Sequence, residues 1–289
     1  MKTTSVIALA LSVTPALAVP PANFGFPTSE GDTPLSVTFQ SNGSSLRLQP
    51  GQLFGIDVPV QAPAIAVNTS YTTLNNNYSG QYMLMMVDPD ASYPENPSNR
   101  FIVHWWQMNL TRSTQASDTS DSIGGTRLIN GTAPRVPYRR PAPPTNSSAH
   151  RYIQYLWEQP VNFTIPSAYQ GFNSSNIRQF NLTGFVQAAR LNNPVAANYF
   201  FCSNQTNVPT TFVAAPGGEY PGGNGAAITS GPGPSITPTS TAGASSTSGA
   251  SSSGSGSSPS ASASGSMAPA SKNGLNSLLG IIFALMAAW

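Results

Sequence analysis

Residues 81–91 read Gln-Tyr-Met-Leu-Met-Met-Val-Asp-Pro-Asp-Ala, an apolar run that ends in two closely spaced acids. An almost continuous apolar run of this length predicts a buried strand. Pro89 fixes its own φ and pushes Asp88 toward extended geometry, so the turn after the strand is rigid. The stretch therefore predicts a buried strand that ends at a rigid turn, from which Asp88 can point inward.

Strand character recurs outward from this stretch along the chain. Further apolar runs lie at residues 101–110, 151–157 and 195–201. Alternation is mostly of period two, and the 27 prolines of the chain argue against a helical protein. We therefore predict an all-β-dominated fold, an antiparallel β-sandwich or barrel-like sheet, with one or two short helices.

One segment indicates a helix. Apolar side chains between Leu182 and Ala189 fall at positions i, i+3, i+4 and i+7, which places them on one helical face. Asn181 suits the N-cap position, and Pro194 suits the end of the helix. The sequence therefore predicts one clear helix in a chain built mostly from strands.

The two ends of the chain carry targeting patterns. Residues 1–18 combine a positive charge, a short apolar run and an Ala-Leu-Ala cleavage pattern, which predicts a secretory signal peptide. Near the other end, Ser264, Gly265 and Ser266 precede the polar spacer and apolar tail of residues 267–289. This pattern predicts attachment of a glycosylphosphatidylinositol (GPI) lipid and removal of the tail, with a tail anchor or a free terminus as the alternatives.

The remaining chain divides into a domain and a stalk. Residues 229–266 are almost entirely Ser, Thr, Gly, Ala and Pro, a composition that buries no apolar surface and predicts a disordered stalk. Residues 19–228 are long enough for one domain with a hydrophobic core. We therefore expect a secreted domain on a stalk, GPI-anchored to the plasma membrane or transferred to the cell wall. Its link to the membrane would be a lipid rather than a transmembrane helix.

Charge and cysteine content exclude several classes of function. Of the twelve basic residues, Lys2 and Lys272 lie in the end segments, which leaves ten arginines against ten acids. A near-neutral domain has no basic field for nucleic acid and no basic cluster for an anionic bilayer. Cys202 cannot form an internal disulfide alone and follows an apolar run, so we predict a buried, unreactive thiol, with pairing between chains as the alternative.

Acceptor sequences for N-linked glycans are dense in this chain. The ten Asn-x-Ser/Thr sequons begin at Asn42, Asn68, Asn77, Asn109, Asn130, Asn146, Asn162, Asn173, Asn181 and Asn204. We predict a glycoprotein in which some sequons lie in strands and stay bare.

The titratable residues fall beside the predicted strands. His104 lies within the second apolar run, His150 opens the third, and Asp88 and Asp90 follow the first. A metal site usually needs three or four convergent ligands, and the chain has no further histidine. Because no Gly-x-Ser-x-Gly, His-Glu-x-x-His or Gly-x-Gly-x-x-Gly motif occurs either, we predict a protein that is not an enzyme, without catalytic residues, metal or cofactor.

Four short motifs follow one another at compatible spacing. They are Asp88-Pro89-Asp90-Ala91, His104-Trp105, Pro143-Pro144 and His150-Arg151-Tyr152. Together they resemble the phosphatidylethanolamine-binding protein family, which includes the Raf kinase inhibitor proteins and the plant flowering-time proteins. The resemblance covers residues 35–202 and implies the β-sandwich fold of that family.

The sequence departs from the family pattern at four positions. Ser92 and Ser148 stand where the family usually has Pro and Gly, and Arg140 and Ala142 occupy positions often held by Gly. Glycine in such a loop lets backbone N–H groups approach an anion closely. Arg140 therefore either replaces that contact with a charge or blocks the mouth of the pocket.

The resemblance also implies a small anion pocket. Its residues would be Asp88, Asp90, His104, Arg140, Pro143, Pro144, His150 and Tyr152. By similarity, His150 and Asp90 would lie at or near the rim. An acid beside an imidazole favours the protonated ring, which donates charge-assisted hydrogen bonds to a phosphate. Asp88 would accept from an ammonium group, which suits a phosphoethanolamine head group.

These observations leave more than one function open. The first is binding of a phospholipid head group or another phosphate-bearing small ligand. The second is inhibition of a secreted protease through the N-terminal segment or the 114–125 loop, which the resemblance implies because family members inhibit kinases and a serine carboxypeptidase. The third is a glycosylated coat protein of the cell surface or cell wall. Substitutions in the pocket would discriminate the first function from the second.

Overall fold

The computed structural model describes residues 19–29, 34–68, 78–120 and 124–214. The predicted signal peptide, the stalk, the GPI signal and the sequon at Asn77 lie outside the described residues. Within the described ranges, no helix is both long enough and apolar enough to cross a bilayer.

Strands are the main regular secondary structure of the described chain. They are β1 (Ser36–Ser41), β2 (Ser44–Arg47), β3 (Gln52–Gly55), β4 (Ala64–Val67), β5 (Tyr82–Asp88), β6 (Ile102–Arg112), β7 (Thr119–Ser120), β8 (Gly125–Asn130), β9 (His150–Glu158) and β10 (Ala196–Ser203). The described helices are α1 (Leu182–Ala188) and three short 3-10 turns at Ala22–Phe24, Ala116–Asp118 and Ser167–Tyr169.

The strands form a curled sheet in the order β2-β1-β4-β8-β6-β5-β9-β10-β3, with β7 paired to β8. Neighbouring strands are antiparallel, except that β10 and β3 run parallel. The predicted all-β-dominated fold is confirmed. The parallel pair was not predicted, because it joins Gln52 to Phe200 across most of the domain and leaves no local pattern.

The pleat of the sheet divides the apolar side chains between two hydrophobic cores. The first, the helix-side core, is built around Trp106, Phe180 and Phe185. The second, the sheet-side core, is built around Phe39 and Phe54. Successive residues of a strand point to opposite faces, so each central strand contributes side chains to both cores.

Strand β9 illustrates this division. Ile153, Tyr155 and Trp157 belong to the helix-side core, whereas Tyr152 belongs to the sheet-side core. The predicted alternation along this strand is therefore confirmed. Gln154 lies opposite the first set, as expected, but it is also fully buried because both faces of the strand are covered.

Helix α1 begins as predicted and ends earlier. The Asn181 side chain accepts a hydrogen bond from the backbone N–H of Gly184 at 2.9 Å, which caps the first turn. The helix ends at Ala188, so the predicted end near Pro194 is wrong. Arg190 adopts a left-handed backbone conformation with φ of 53°, and the N–H groups after the helix bond back to its last turn. Such a Schellman-type cap stops a helix without proline.

Strand β6 carries an extra residue opposite β5, and this residue is His104. Met86 of β5 pairs with Trp105, but the next residue, Val87, pairs with Val103, so His104 is skipped in the register. Such a β-bulge bends the strand and changes the direction of a side chain. The bulge brings His104 to the face that carries Trp105, whereas strict alternation would have placed these neighbours on opposite faces.

Candidate ligand-binding site

Asp88, at the end of β5, is held by hydrogen bonds in the protein interior. The residue is 3% exposed. Its Oδ1 accepts the backbone N–H of Asp90 at 2.8 Å, which closes the rigid turn predicted around Pro89. Its Oδ2 lies 2.9 Å from Nδ1 of His150, at the start of β9. The loop after β5 and the loop before β9 are therefore joined by an acid–imidazole contact.

The second ring nitrogen of His150 contacts Ser147. The Oγ atom of Ser147 lies 2.9 Å from Nε2 of His150. Ser147, His150 and Asp88 thus follow one another in the order hydroxyl, imidazole and carboxylate, a connectivity known from hydrolytic triads. Ser147 is only 8% exposed and His150 only 1%. In this structure, the serine hydroxyl holds the imidazole of His150 in its orientation.

Asp90 forms a two-point ion pair with Arg151. Its Oδ2 accepts from Arg151 Nε at 2.8 Å, and its Oδ1 accepts from Arg151 Nη2 at 2.5 Å. The backbone N–H of Arg151 donates to Oδ2 as well, and the Arg100 guanidinium lies 3.8 Å from Oδ1. Bidentate pairing of this kind fixes geometry as well as charge. The acid is therefore part of the framework that supports the site.

The N-terminal segment, residues 19–29, covers this ion pair. The Phe24 ring lies over the Arg151 guanidinium at 4.6 Å, and the Phe26 ring lies 5.4 Å from the Arg100 guanidinium. Cations over aromatic faces are stabilised by the quadrupole of the ring. The segment that the sequence offered for contacts with a protease is thus packed on the domain in this structure.

His104 reaches the site from the β6 bulge. Its Nδ1 lies 3.0 Å from the carbonyl oxygen of Arg139, and a carbonyl only accepts, so Nδ1 carries the hydrogen. Burial lowers the pKa of His104, and the negative charge of Asp88 opposes this only in part. The ring is therefore neutral near pH 7. Asp88 favours the protonated ring, as expected, but desolvation outweighs this nearby charge.

Tyr152 forms the floor between the two histidines. Its ring lies edge-on to His104 at 5.1 Å and stacks beside His150 at 6.5 Å. Burial raises the pKa of Tyr152, and the charge of Asp88 raises it further, so the phenol keeps its proton. Cys202 is fully buried, and burial also raises the pKa of its thiol. The predicted burial of this thiol is confirmed, and its lack of reactivity stays a prediction.

The loop before β9 carries the predicted prolines and arginine. Pro143 is buried, Pro144 is half-buried and Arg140 is exposed. The side-chain amide of Asn204, just beyond β10, donates to the Pro143 carbonyl at 2.5 Å. The loop is thus tied to the end of β10, and Arg140 adds a solvent-facing positive charge to it.

A cavity of about 340 Å³ opens beside the Asp90–Arg151 ion pair. Its walls include Glu95, Ser148 and Phe201. Ser148 stands where the family pattern has glycine, so its side chain takes up part of this space. The cavity gives solvent an approach to the charged framework of the site from the side of the 88–101 loop.

The match to known families follows this geometry. Residues 40–200 match the family model described as Phosphatidylethanolamine-binding protein. This chain belongs to the phosphatidylethanolamine-binding protein family. The matched range contains both strands that carry the histidines and the acidic turn that precedes them, so the family match covers the candidate site.

Relatives and a solved structure are similar to parts of this family member. The Phomoidride biosynthesis cluster protein N of a fungal species is 33% identical over 122 residues, which cover 41% of this chain and 51% of that protein. The protein of the same name from Talaromyces stipitatus is 29% identical over 178 residues, or 57% and 82%. A carboxypeptidase Y inhibitor complexed with its cognate proteinase has 18% identity and a TM-score of 0.45, covering 63% and 86%. The chain spans about half the length of the first relative.

The structure brings the central family residues together and corrects the placement of two. Asp88 bonds to His150, and Tyr152 contacts Asp88 and both histidines. His150 and Asp90 were expected at or near the rim, but each is only 1% exposed. His150 bonds to neighbours through both ring nitrogens, and Asp90 is enclosed by arginines, so neither remains at the surface. The ligand-binding role of the predicted residues stays a prediction.

Several residues of the site were missed by sequence reasoning. Ser147 and the Arg139 carbonyl orient the two imidazoles, and Arg100 joins the ion pair of Asp90. Arg151 lies inside a family motif, so the sequence carried a signal for its pairing with an acid. A contact from a serine hydroxyl or a backbone carbonyl leaves no such signal in the sequence. Among the described residues, no group of three His, Cys, Asp or Glu side chains could hold a metal ion. The prediction that the protein is not an enzyme stays a prediction.

The depressed pKa of His104 predicts how stability depends on pH. The unfolded ring titrates near its ordinary pKa of 6.5, and the folded ring titrates lower because it is buried. Below pH 6.5, the unfolded state therefore binds more protons than the folded state. The stability that the neutral, buried ring contributes is complete above pH 6.5 and is lost as the pH falls through the folded pKa. Urea unfolding between neutral and mildly acidic pH should show this loss, and His104→Asn should reduce the slope. An unchanged slope in the variant would contradict a buried neutral ring.

Proposed function

We propose that this chain binds a small phosphate-bearing ligand, either free or as a phospholipid head group, on the face formed by Asp88, His104 and Tyr152. The observation that carries the proposal is the placement of a neutral imidazole against Tyr152, close enough to Asp88 for the acid's charge to act on its pKa. Membership of the phosphatidylethanolamine-binding protein family supports it.

The electrostatics favour binding together with proton uptake. An anion placed beside the ring of His104 raises the pKa of that ring, because opposite charges stabilise each other. The protonated ring then donates a charge-assisted hydrogen bond to the phosphate. Arg140 supplies a second positive charge from the exposed loop, and Asp88 offers an acceptor to an ammonium group. Affinity should therefore rise as the pH falls.

We also propose that the protein acts outside the cell, at the surface. The supporting observations are the signal peptide pattern of residues 1–18, the small residues before the tail of residues 267–289, and the dense sequons. A secreted protein anchored by GPI would meet free phosphate esters, exposed head groups and secreted proteases, rather than cytosolic partners.

Calorimetric titration tests the binding proposal. The native chain is titrated with O-phosphoethanolamine and with inorganic phosphate at about pH 5.5 and about pH 8, on either side of the ordinary histidine pKa. We expect tighter binding at the lower pH. Removing one charge-assisted hydrogen bond should weaken binding at that pH by roughly tenfold or more in His104→Asn and in Arg140→Ala. Arg178→Ala, an exposed arginine on another loop, is the matched control and should bind as the native chain does.

The opposite outcomes separate the remaining possibilities. If the native chain binds neither compound at either pH but Arg140→Gly does, the arginine blocks the mouth of the pocket. If neither chain binds, the phosphate-binding proposal fails. Inhibition of a secreted serine carboxypeptidase then becomes the function to measure.

A further inference from the structure

The sequons at Asn146 and Asn204 adjoin the same pocket loop, but the structure uses their side chains differently. Asn204 is half-buried, and its Nδ2 donates to the Pro143 carbonyl at 2.5 Å. Asn146 is exposed at the tip of a turn that the Ser147 N–H closes onto the Pro144 carbonyl at 3.0 Å. One amide thus holds the loop, and the other projects from it into solvent.

Asn109 provides a second example of an engaged sequon. It lies on β6 at a left-handed position, with φ of 57°. Its Nδ2 donates to Thr132 Oγ1 at 3.1 Å, and its Oδ1 accepts from Gln159 Nε2 at 2.6 Å. The backbone N–H of Asn109 donates to Gln159 Oε1 at 3.0 Å. Both ends of this side chain are therefore used within the fold.

An N-linked glycan is attached to Nδ2, replaces one of its two hydrogens, and needs open solvent around it. At Asn204 and Asn109, one Nδ2 hydrogen is already donated within the fold, so the first sugar would have to replace the other hydrogen on a half-buried side chain. A sugar there would crowd the pocket loop that Asn204 holds, or the contacts that join Asn109 of β6 to Thr132 and Gln159. At Asn146 nothing comparable is lost, because the side chain is exposed.

From these contacts we infer that Asn146 carries an N-glycan beside the mouth of the pocket, whereas Asn109 and Asn204 stay bare. The glycan stands between the pocket and any flat bilayer, so the pocket receives a small soluble phosphate monoester rather than a lipid embedded in a membrane. This inference rests on the proposed phosphate binding and on secretion.

The position of Asn146 is what lets its glycan separate the pocket from a membrane. The next residue, Ser147, touches the buried imidazole of His150 through its hydroxyl. Consecutive Cα atoms are about 3.8 Å apart, so the sugar attachment point is close to the wall of the site. The same loop carries Arg140, the charge that would draw a phosphate. A bulky, hydrated glycan there leaves room for a small ester but separates the arginine from a membrane surface.

Peptide mapping by mass spectrometry tests the occupancy. The full chain is secreted from a eukaryotic host, and each sequon is scored after enzymatic release of glycans in heavy-oxygen water. We expect occupancy at Asn146 and none at Asn109 or Asn204, with the exposed Asn42 as the reference site. Bare Asn146, occupied Asn204, or a chain without any glycan would each overturn the inference.

A second experiment tests whether the Asn146 glycan acts as a barrier between the pocket and a membrane. Chain collected from the medium, or released from cells by phosphatidylinositol-specific phospholipase C, is floated with phosphatidylethanolamine/phosphatidylcholine vesicles and titrated with O-phosphoethanolamine. The native chain should bind the soluble ester and not the vesicles. Asn146→Gln and the deglycosylated native chain should gain vesicle binding by tenfold or more, whereas Asn42→Gln should not.

The two possible failures are distinguishable. Vesicle binding by the fully glycosylated native chain would overturn the barrier while leaving phosphate binding intact. Absence of O-phosphoethanolamine binding in every variant would overturn the proposed function and the barrier with it, whereas occupancy at Asn146 would still be decided by the peptide map.

Discussion

Replacing Asp90 by alanine should lower the free energy of unfolding by about 3 kcal/mol or more, because it breaks a buried, bidentate ion pair. Asp90 is 1% exposed and accepts hydrogen bonds from Nε, Nη2 and the backbone N–H of Arg151. Without the acid, the guanidinium loses its two-point partner while the aromatic rings still cover it. For a domain of this size, the melting temperature should fall by roughly 6–12 °C.

Chemical and thermal unfolding of Asp90→Ala measure this loss. The matched control is Glu95→Ala, because Glu95 is an acid on the same loop that is exposed. An exposed substitution of this kind should change stability by no more than about 0.5 kcal/mol. A loss in Asp90→Ala as small as in the control would mean that the guanidinium finds another partner, and the assignment of Asp90 to the framework would be wrong.

The second large effect is expected at Trp106. Replacement by alanine should cost about 3–5 kcal/mol, because a fully buried indole leaves a cavity that the fold can only partly close. Trp106 lies edge-on to Phe185 at 5.1 Å and to Phe180 at 5.8 Å, at the centre of the helix-side core. Its Nε1 points at the sulfur of Met83 at 3.3 Å.

Urea unfolding of Trp106→Ala measures this cost, with Val161→Ala as the control. Val161 is 92% exposed, so its truncation should leave the unfolding midpoint within error. If Trp106→Ala lost less than about 1 kcal/mol, the helix-side core would have to repack around the gap more completely than cores usually do.

The elements that the sequence predicted are those with strong local signals. The strand ending at Asp88 and the strand opening at His150 were predicted because their apolar runs are continuous. The cap at Asn181 was predicted because it is a local contact. The end of α1 at Ala188 was missed, because its left-handed cap uses Arg190, a residue type that carries no stop signal.

The site was predicted in composition but not in connectivity. The two histidines, the two acids and Tyr152 do converge, because the family motifs mark them. The family resemblance placed His150 at or near the rim, whereas the structure bonds it to Asp88 in the interior. The position of His104 against Tyr152 depends on the β6 bulge, which one skipped residue creates in the pairing of two strands. The register between two strands depends on both segments together, so it cannot be predicted from either segment alone.

The first residues of the described chain have a consequence for proteolysis. Val19 is 5% exposed, and its carbonyl accepts from the backbone N–H and the hydroxyl of Ser29. Between these residues lies Phe24, the aromatic cover of Arg151. If residues 1–18 are removed as a signal peptide, an aminopeptidase that trims even a short stretch from Val19 would first release the folded-back segment and then uncover the guanidinium. Molecules with heterogeneous amino termini in a preparation would therefore bind ligand more weakly in the pocket. The intact mass should be checked before affinities are compared.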